Sequence, residues 1–188
     1  MKKLLSFLWE IIKIAIIALL IVVPIRYFLF QPFLVRGESM EPVFHNGDYL
    51  IIDEISYRFQ TPQRGEVVVF KPPQNSEQRY IKRIIGLPGE MVEIKEGEVI
   101  IYQDSKKIVL NESNYLSPGV ITPGQEKVFL KEDEYFVLGD NRSASYDSRR
   151  WGPLPKNNIV GRVIFRLWPF SVFAKIETPS YSEQGGAE

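Results

Sequence analysis

Arg79-Tyr-Ile-Lys-Arg-Ile-Ile85 is a run of β-branched and aromatic residues punctuated by cations. Read at a period of two, it puts Tyr80, Lys82 and Ile84 on one face and Ile81, Arg83 and Ile85 on the other, as in a pleated strand. Each face then holds one cation between apolar neighbours. Segments of the same kind lie on either side: Asp48–Ile55, Gly65–Lys71, Lys127–Leu130, Glu134–Leu138 and Ile159–Arg166, all short and bounded by Gly, Pro or Asn. Met91–Lys95 and Glu98–Tyr102 flank Glu96-Gly97, which predicts a hairpin with the glycine taking the positive dihedral. No stretch beyond Gln31 sustains a long amphipathic helix. The fold class expected is mainly β, built from packed antiparallel sheets. The polar, Pro- and Gly-interrupted residues 104–125 predict an excursion from the main sheet, and 177–188 a disordered tail.

The chain has 188 residues, with 23 basic and 23 acidic side chains and no net charge. That length accommodates one main domain of about 150 residues after an N-terminal segment. The balanced charge gives no footprint for nucleic acid. There is no cysteine, which excludes disulfides, thiol catalysis and Cys-ligated zinc. His45 is the only histidine and stands six residues from Ser39, a poor spacing for a Ser-His-Asp triad on a short loop. With so few soft donors, the acids would have to cluster tightly to hold a metal, so none is expected.

Residues 1–30 open with Lys2-Lys3 and are then apolar apart from Ser6, Glu10, Lys13, Pro24 and Arg26. A cleaved leader, a transmembrane anchor and an interfacial helix compete for this segment. No small-x-small cleavage site follows it. Trp9 and Tyr27 are 18 residues apart, roughly 27 Å along a helix and close to the thickness of a hydrocarbon core. The reading preferred is a single transmembrane helix. Lys2 and Lys3 would place its N-terminus in the cytoplasm and residues 31–176 on the other side, although Arg26 at the far end opposes that orientation.

The anchor is followed by Arg36-Gly-Glu-Ser-Met-Glu-Pro42. A serine between Gly and Pro is most often a turn residue, and a nucleophile only in the right company. Lys82 is a candidate for that company. On an exposed strand face it is simply solvated, but buried beside Tyr80 and Ile84 its charged form is disfavoured. Lowering its pKa from about 10.4 to about 7.5 corresponds to roughly 4 kcal/mol. A neutral amine can take a serine proton, which Arg83 cannot do. A third cluster, Gly139-Asp-Asn-Arg-Ser-Ala-Ser-Tyr-Asp-Ser-Arg-Arg-Trp-Gly152, reads either as a surface loop or as a rigid polar platform. In the latter, Asp147 pairs bidentately with Arg149, Asp140 binds backbone or the same arginines, and the hydroxyls of Ser143, Ser145 or Ser148 orient an amine.

In order and spacing these segments resemble the type I signal peptidases, membrane-anchored serine proteases that use a Ser-Lys dyad. The resemblance runs from the N-terminal segment through Gly37–Pro42, Asp48, Arg64–Val69, Tyr80–Gly89 and Gly139–Gly152 to about Arg166. It implies Ser39 as nucleophile, Lys82 as general base and Ser145 as the hydroxyl that positions the amine. Asp140, Asp147 and Arg149 would then be supports, and Val35, Met40, Phe44, Tyr80 and Ile81 would line the pocket for the small residue before the cut. It implies no cofactor, secretory preproteins as substrates, membrane lipid as a partner, and removal of signal peptides at a cell membrane. Two positions depart from the pattern. Gly37 stands where some relatives have a serine that completes the oxyanion hole, so the hole must rely on backbone N–H groups, that of Ser39 and possible help from Gly37. Val43 stands where a threonine often follows the proline. A self-cleaving repressor would share the dyad but not the hydrophobic N-terminus, and an inactive anchored β-domain that binds peptides is the alternative from another class.

Overall fold

The computed structural model describes residues 2–28, 30–104, 106–179 and 181. A helix, α1 (Lys2–Phe28), is followed by twelve strands: β1 (Phe30–Leu34), β2 (Tyr49–Asp53), β3 (Val67–Phe70), β4 (Tyr80–Gly86), β5 (Met91–Lys95), β6 (Glu98–Gln103), β7 (Lys106–Val109), β8 (Glu126–Phe129), β9 (Glu134–Leu138), β10 (Leu154–Pro155), β11 (Ile159–Trp168) and β12 (Ala174–Lys175). A four-residue helix, α2 (Ser148–Trp151), lies between β9 and β10. The larger sheet has the order β1-β2-β11-β3-β4-β9-β10, with β12 added to β11, and the smaller has the order β7-β6-β5-β8. Every strand pair is antiparallel, so the expected fold class holds.

Local chemistry explains the main elements. Glu96 and Gly97 both take positive φ, 55° and 86°, which suits the two-residue turn that matches strand twist. The Val67–Phe70 run is apolar throughout because β3 is covered on both faces. Val67 and Val69 enter a cluster with Val35, Met40, Phe44, Leu50, Ile52, Ile81 and Val163. Val68 and Phe70 point the other way, towards Ile84, Tyr135, Val137 and Leu154. A third cluster, which includes Ile85, Val92, Ile101, Leu130 and Phe136, fills the space between β4 and β9 of the large sheet and the small sheet. β4 thus sits between layers, and from Ile81 to Gly86 it is buried. The alternation correctly assigned its side chains to two faces, but neither face is wet.

Four strands were not visible in the pattern: β1, β7 and the two-residue β10 and β12. β1 lies in what reads as the end of the apolar segment, because Phe-Gln-Pro-Phe-Leu continues the same composition while pairing residue by residue with β2. β7 lies in the polar 104–125 stretch and extends the small sheet, its pattern hidden by Lys106 and Lys107. That stretch also buries Leu110, Tyr115 and Thr122. Of the expected tail, residues 180 and 182–188 lie outside the described residues, while Tyr181 packs on Tyr115 with ring centroids 6.4 Å apart.

The N-terminal segment forms α1, and its described apolar side chains between Leu4 and Leu20, Trp9 among them, stand largely exposed. Its described side chains include Glu10 and Lys13, and those of residues 21–31, Arg26 and Tyr27 among them, lie outside the described residues. Among the described residues no helix is long and apolar enough to cross a membrane.

Candidate active site

Ser39 sits in a tight turn between β1 and β2. Gly37 enters that turn at φ 88°, a conformation that costs a side-chain-bearing residue strain. Phe44 N donates to Met40 O at 2.9 Å, so Met40 and Phe44 lie one turn apart on the same side and are both almost wholly buried. Val35 is pinned next to them, its N–H on Asp48 O at 2.9 Å. None of these three side chains is in the lining of the open groove beside Ser39. They are the apolar pegs that hold the turn, each contributing about 1.5–3 kcal/mol by burial, and they leave Ser39 on the opposite, half-exposed side.

Lys82 is brought to Ser39 by β4. Its Nζ is 2.7 Å from Ser39 Oγ and donates to Ile81 O at 2.8 Å. Lys82 is only 4% exposed, and among the described residues no ion pair reaches its amine. Burial therefore dominates and lowers its pKa to about 8, against the opposing charges of Asp147 and Asp140. An amine in that range is a competent base at neutral to mildly alkaline pH.

The 139–152 cluster is the rigid platform rather than a loose loop. Arg149 binds Asp147 through two 2.8 Å hydrogen bonds. Burial works to raise the Asp147 pKa, but Arg149, Ser145 and the Gly139 N–H more than offset it and hold the carboxyl below its usual range. Asp140 turns away from these arginines. It accepts from Arg83 Nε at 2.9 Å and from Arg83 Nη2 at 2.6 Å, and the Arg83 guanidinium lies 4.1 Å from the Tyr115 ring centroid. The second cation of β4 is thus neutralised where the first is not.

Ser145 does not hydrogen-bond Lys82. Its Oγ is buried with no hydrogen-bond partner among the described residues, packed against Gly139 and in looser contact with Asp147. Gly139 is the residue that sequence reasoning passed over. A Cβ on it would fall 2.2 Å from Ser145 Oγ and 2.4 Å from Ser39 O, so the Ser39 turn and the platform meet over its bare Cα. Asn141 N donates to Ser39 O at 3.1 Å, and Asn141 Nδ2 to Glu38 O at 3.2 Å. The only advance signal was the position of Gly139 at the end of a strand and the head of the polar cluster.

Gly37 is not a free oxyanion donor either, because its N–H is taken by Asn46 Oδ1 at 3.0 Å. The Ser39 N–H has no acceptor among the described residues and remains the available one. A groove of ≈ 430 Å³ opens over the pair, lined by Phe33, Leu34, Tyr80, Ile81, Ala144 and Tyr146 with Arg36, Glu38 and Arg79 at its polar parts. Tyr80 and Ile81 are the two expected pocket residues that do line it. His45 is exposed and lies outside this lining. Among the described residues no group of His, Asp or Glu could hold a metal ion.

The antiparallel β scaffold thus presents a serine hydroxyl to a desolvated amine beside an open groove, an arrangement in which the amine, once neutral, can take the serine proton. Comparison with known proteins narrows the class. Residues 8–168 match the family model described as signal peptidase, peptidase S26, and the chain belongs to that family; it is a serine peptidase. It is 41% identical over 165 residues to a protein of Synechocystis sp. named "Probable signal peptidase I-2", covering 85% of this chain and 73% of that one. It is 38% identical over 180 residues to the signal peptidase I of Leptolyngbya laminosa, covering 92% and 85%. A crystal structure of a signal peptidase I from Enterococcus faecalis V583 aligns at 31% identity with a TM-score of 0.45, over 55% of this chain and 97% of that one; family membership rests on the sequence matches.

Proposed function

We propose that the protein is a membrane-anchored endopeptidase that removes N-terminal signal peptides from exported preproteins, with Ser39 as nucleophile and Lys82 as general base. The observation that carries this is the 2.7 Å contact between Ser39 Oγ and an amine that is buried and held at about 8. Neutral Lys82 takes the Ser39 proton as Oγ attacks the scissile carbonyl. The ammonium then gives that proton to the leaving amine, and the departing chain leaves an ester on Ser39. Water, deprotonated by the same amine, attacks the ester, and the serine recovers its proton. The Ser39 N–H stabilises the oxyanion.

Substrate geometry follows from β4. Its ladder with β9 begins at Arg83, so the backbone of Tyr80 to Lys82 has no β9 partner on that side. An extended peptide can add there, small side chains against Tyr80, Ile81 and Ala144. The anchoring role is assigned to α1 on the strength of its exposed apolar side chains, although its described part falls short of a full span; it leads through β1 to the Ser39 turn, with the short N-terminus in the cytoplasm and residues 31–176 as the extracytoplasmic peptidase domain. Exposed Trp168, Phe170 and Phe173, two of which form an edge-on pair at 4.8 Å, support contact of that domain with the lipid interface.

Cleavage of a synthetic preprotein segment by detergent-solubilised protein tests the assignment. Ser39→Ala and Lys82→Ala should each lower kcat on the order of a thousandfold or more; full turnover by either variant overturns it.

A further inference from the structure

We propose that Glu112, on the segment joined to the small sheet, is a positioning residue for the Ser39–Lys82 pair and acts through Arg142; this rests on that pair being the dyad. Arg142 lies within the polar cluster, yet its side chain is wholly buried. Taking a guanidinium out of water is costly unless its N–H groups are satisfied and its charge is met. Glu112 meets it with both carboxylate oxygens, accepting from Nη1 at 2.7 Å and from Nη2 at 2.6 Å. Thr122 Oγ1 takes the other Nη1 hydrogen. Nε donates to Gly139 O at 3.1 Å.

That last bond links the small sheet to catalysis. Gly139 is the residue whose bare Cα abuts Ser39 O and Ser145 Oγ, and Asn141, next to Arg142, donates its N–H to Ser39 O. Glu112 therefore sets the guanidinium, the guanidinium sets the Gly139–Asn141 turn, and the turn sets the backbone of the nucleophile. A second branch leaves the same carboxylate: Tyr115 donates its hydroxyl to Glu112 Oε1 at 2.5 Å, and its ring lies under Arg83, the partner of Asp140. None of these groups reaches the groove, so losing the pair should leave substrate affinity intact and cost alignment, to which rates respond steeply.

The test uses the full-length, detergent-solubilised protein, a synthetic signal-peptide substrate, and assays below each variant's unfolding midpoint. Glu112→Gln keeps the shape and removes the charge. Its kcat should fall about tenfold or more with KM within about twofold. The double variant Glu112→Leu/Arg142→Met replaces the buried pair with apolar groups, which restores the unfolding midpoint in the general case; here it should do so without restoring kcat. Wild-type kcat in folded Glu112→Gln, or wild-type kcat in the double variant, overturns the proposal and leaves the pair a purely structural one. If Glu112→Gln does not fold, the kcat of the double variant decides alone. Ser39→Ala and Lys82→Ala run alongside: if they stay active, the dyad assignment has failed, whereas if they are dead and Glu112→Gln is unimpaired, only the positioning role has.

Discussion

Replacing Gly139 by alanine should inactivate the enzyme while leaving it folded. The added Cβ would meet Ser39 O at 2.4 Å and Ser145 Oγ at 2.2 Å, where ordinary contact begins at 3.4 Å. Ser145 can swing away, but Ser39 O is backbone, and relief there takes a shift of about 1 Å. Such a shift breaks the 3.1 Å bond from Asn141 N and carries Ser39 Oγ out of reach of Lys82. A displacement of that size costs on the order of a hundredfold in rate, about 2.7 kcal/mol in barrier. The overpacking itself should cost about 1–3 kcal/mol of stability, within the reserve of an ordinary domain. The assay is kcat on a fluorogenic signal-peptide substrate, measured below the unfolding midpoint. Gly86→Ala supplies the control: its Cβ would fall 2.4 Å from Val92 Cγ2 and 2.7 Å from Leu130 Cδ1, a clash of similar size in the core beside the small sheet. It should lower the midpoint and leave kcat per folded molecule within about twofold. A Gly139→Ala kcat within threefold of wild type, or an equal loss in Gly86→Ala, would refute the reasoning.

The buried amine makes activity and stability respond to pH in linked ways. With Lys82 as the proposed base, active when neutral and losing its proton at about 8, kcat/KM should fall about tenfold per pH unit below that value; a flat profile from pH 6 to 8 counts against a lysine base. The folded pKa lies below the unfolded value of 10.5, so between about 8 and 10.5 the unfolded chain binds the proton and the folded one does not. Stability from this group should therefore rise with pH across that window by ~3 kcal/mol, a rise that denaturant titrations of Lys82→Met should not show. Asp140→Asn strands the Arg83 guanidinium in the interior and should destabilise by about 3–5 kcal/mol. Because Asp140 raises the Lys82 pKa, the acid limb of that variant should also move to lower pH, which kcat/KM profiles will detect.

Period-two alternation and turn residues located β2 to β6, β8, β9 and β11 to within a few residues, because those signals are local. β1 and β7 escaped because composition there speaks for a neighbouring segment: Phe-Gln-Pro-Phe-Leu reads as the end of the apolar run, and two lysines mask the short edge strand. The site divides along the same line. Ser39, Lys82 and the Asp147–Arg149 pair were legible as residue types in context, whereas the fate of each cation on β4 was not. Lys82 and Arg83 are adjacent and equally buried, yet one faces a serine and the other a carboxylate 57 residues away.

By itself the sequence determined the strand-rich scaffold, the short list of possible nucleophiles and bases, and the absence of thiol chemistry, since these depend on which side chains exist and how they alternate. Only the tertiary structure decided which lysine is stripped of water, that Val35, Met40 and Phe44 are buried beneath the Ser39 turn, that Asn46 takes the Gly37 N–H, and that the platform meets Ser39 over a bare Gly139 Cα. Desolvation and close contact belong to groups gathered from distant parts of the chain, and no local pattern encodes them.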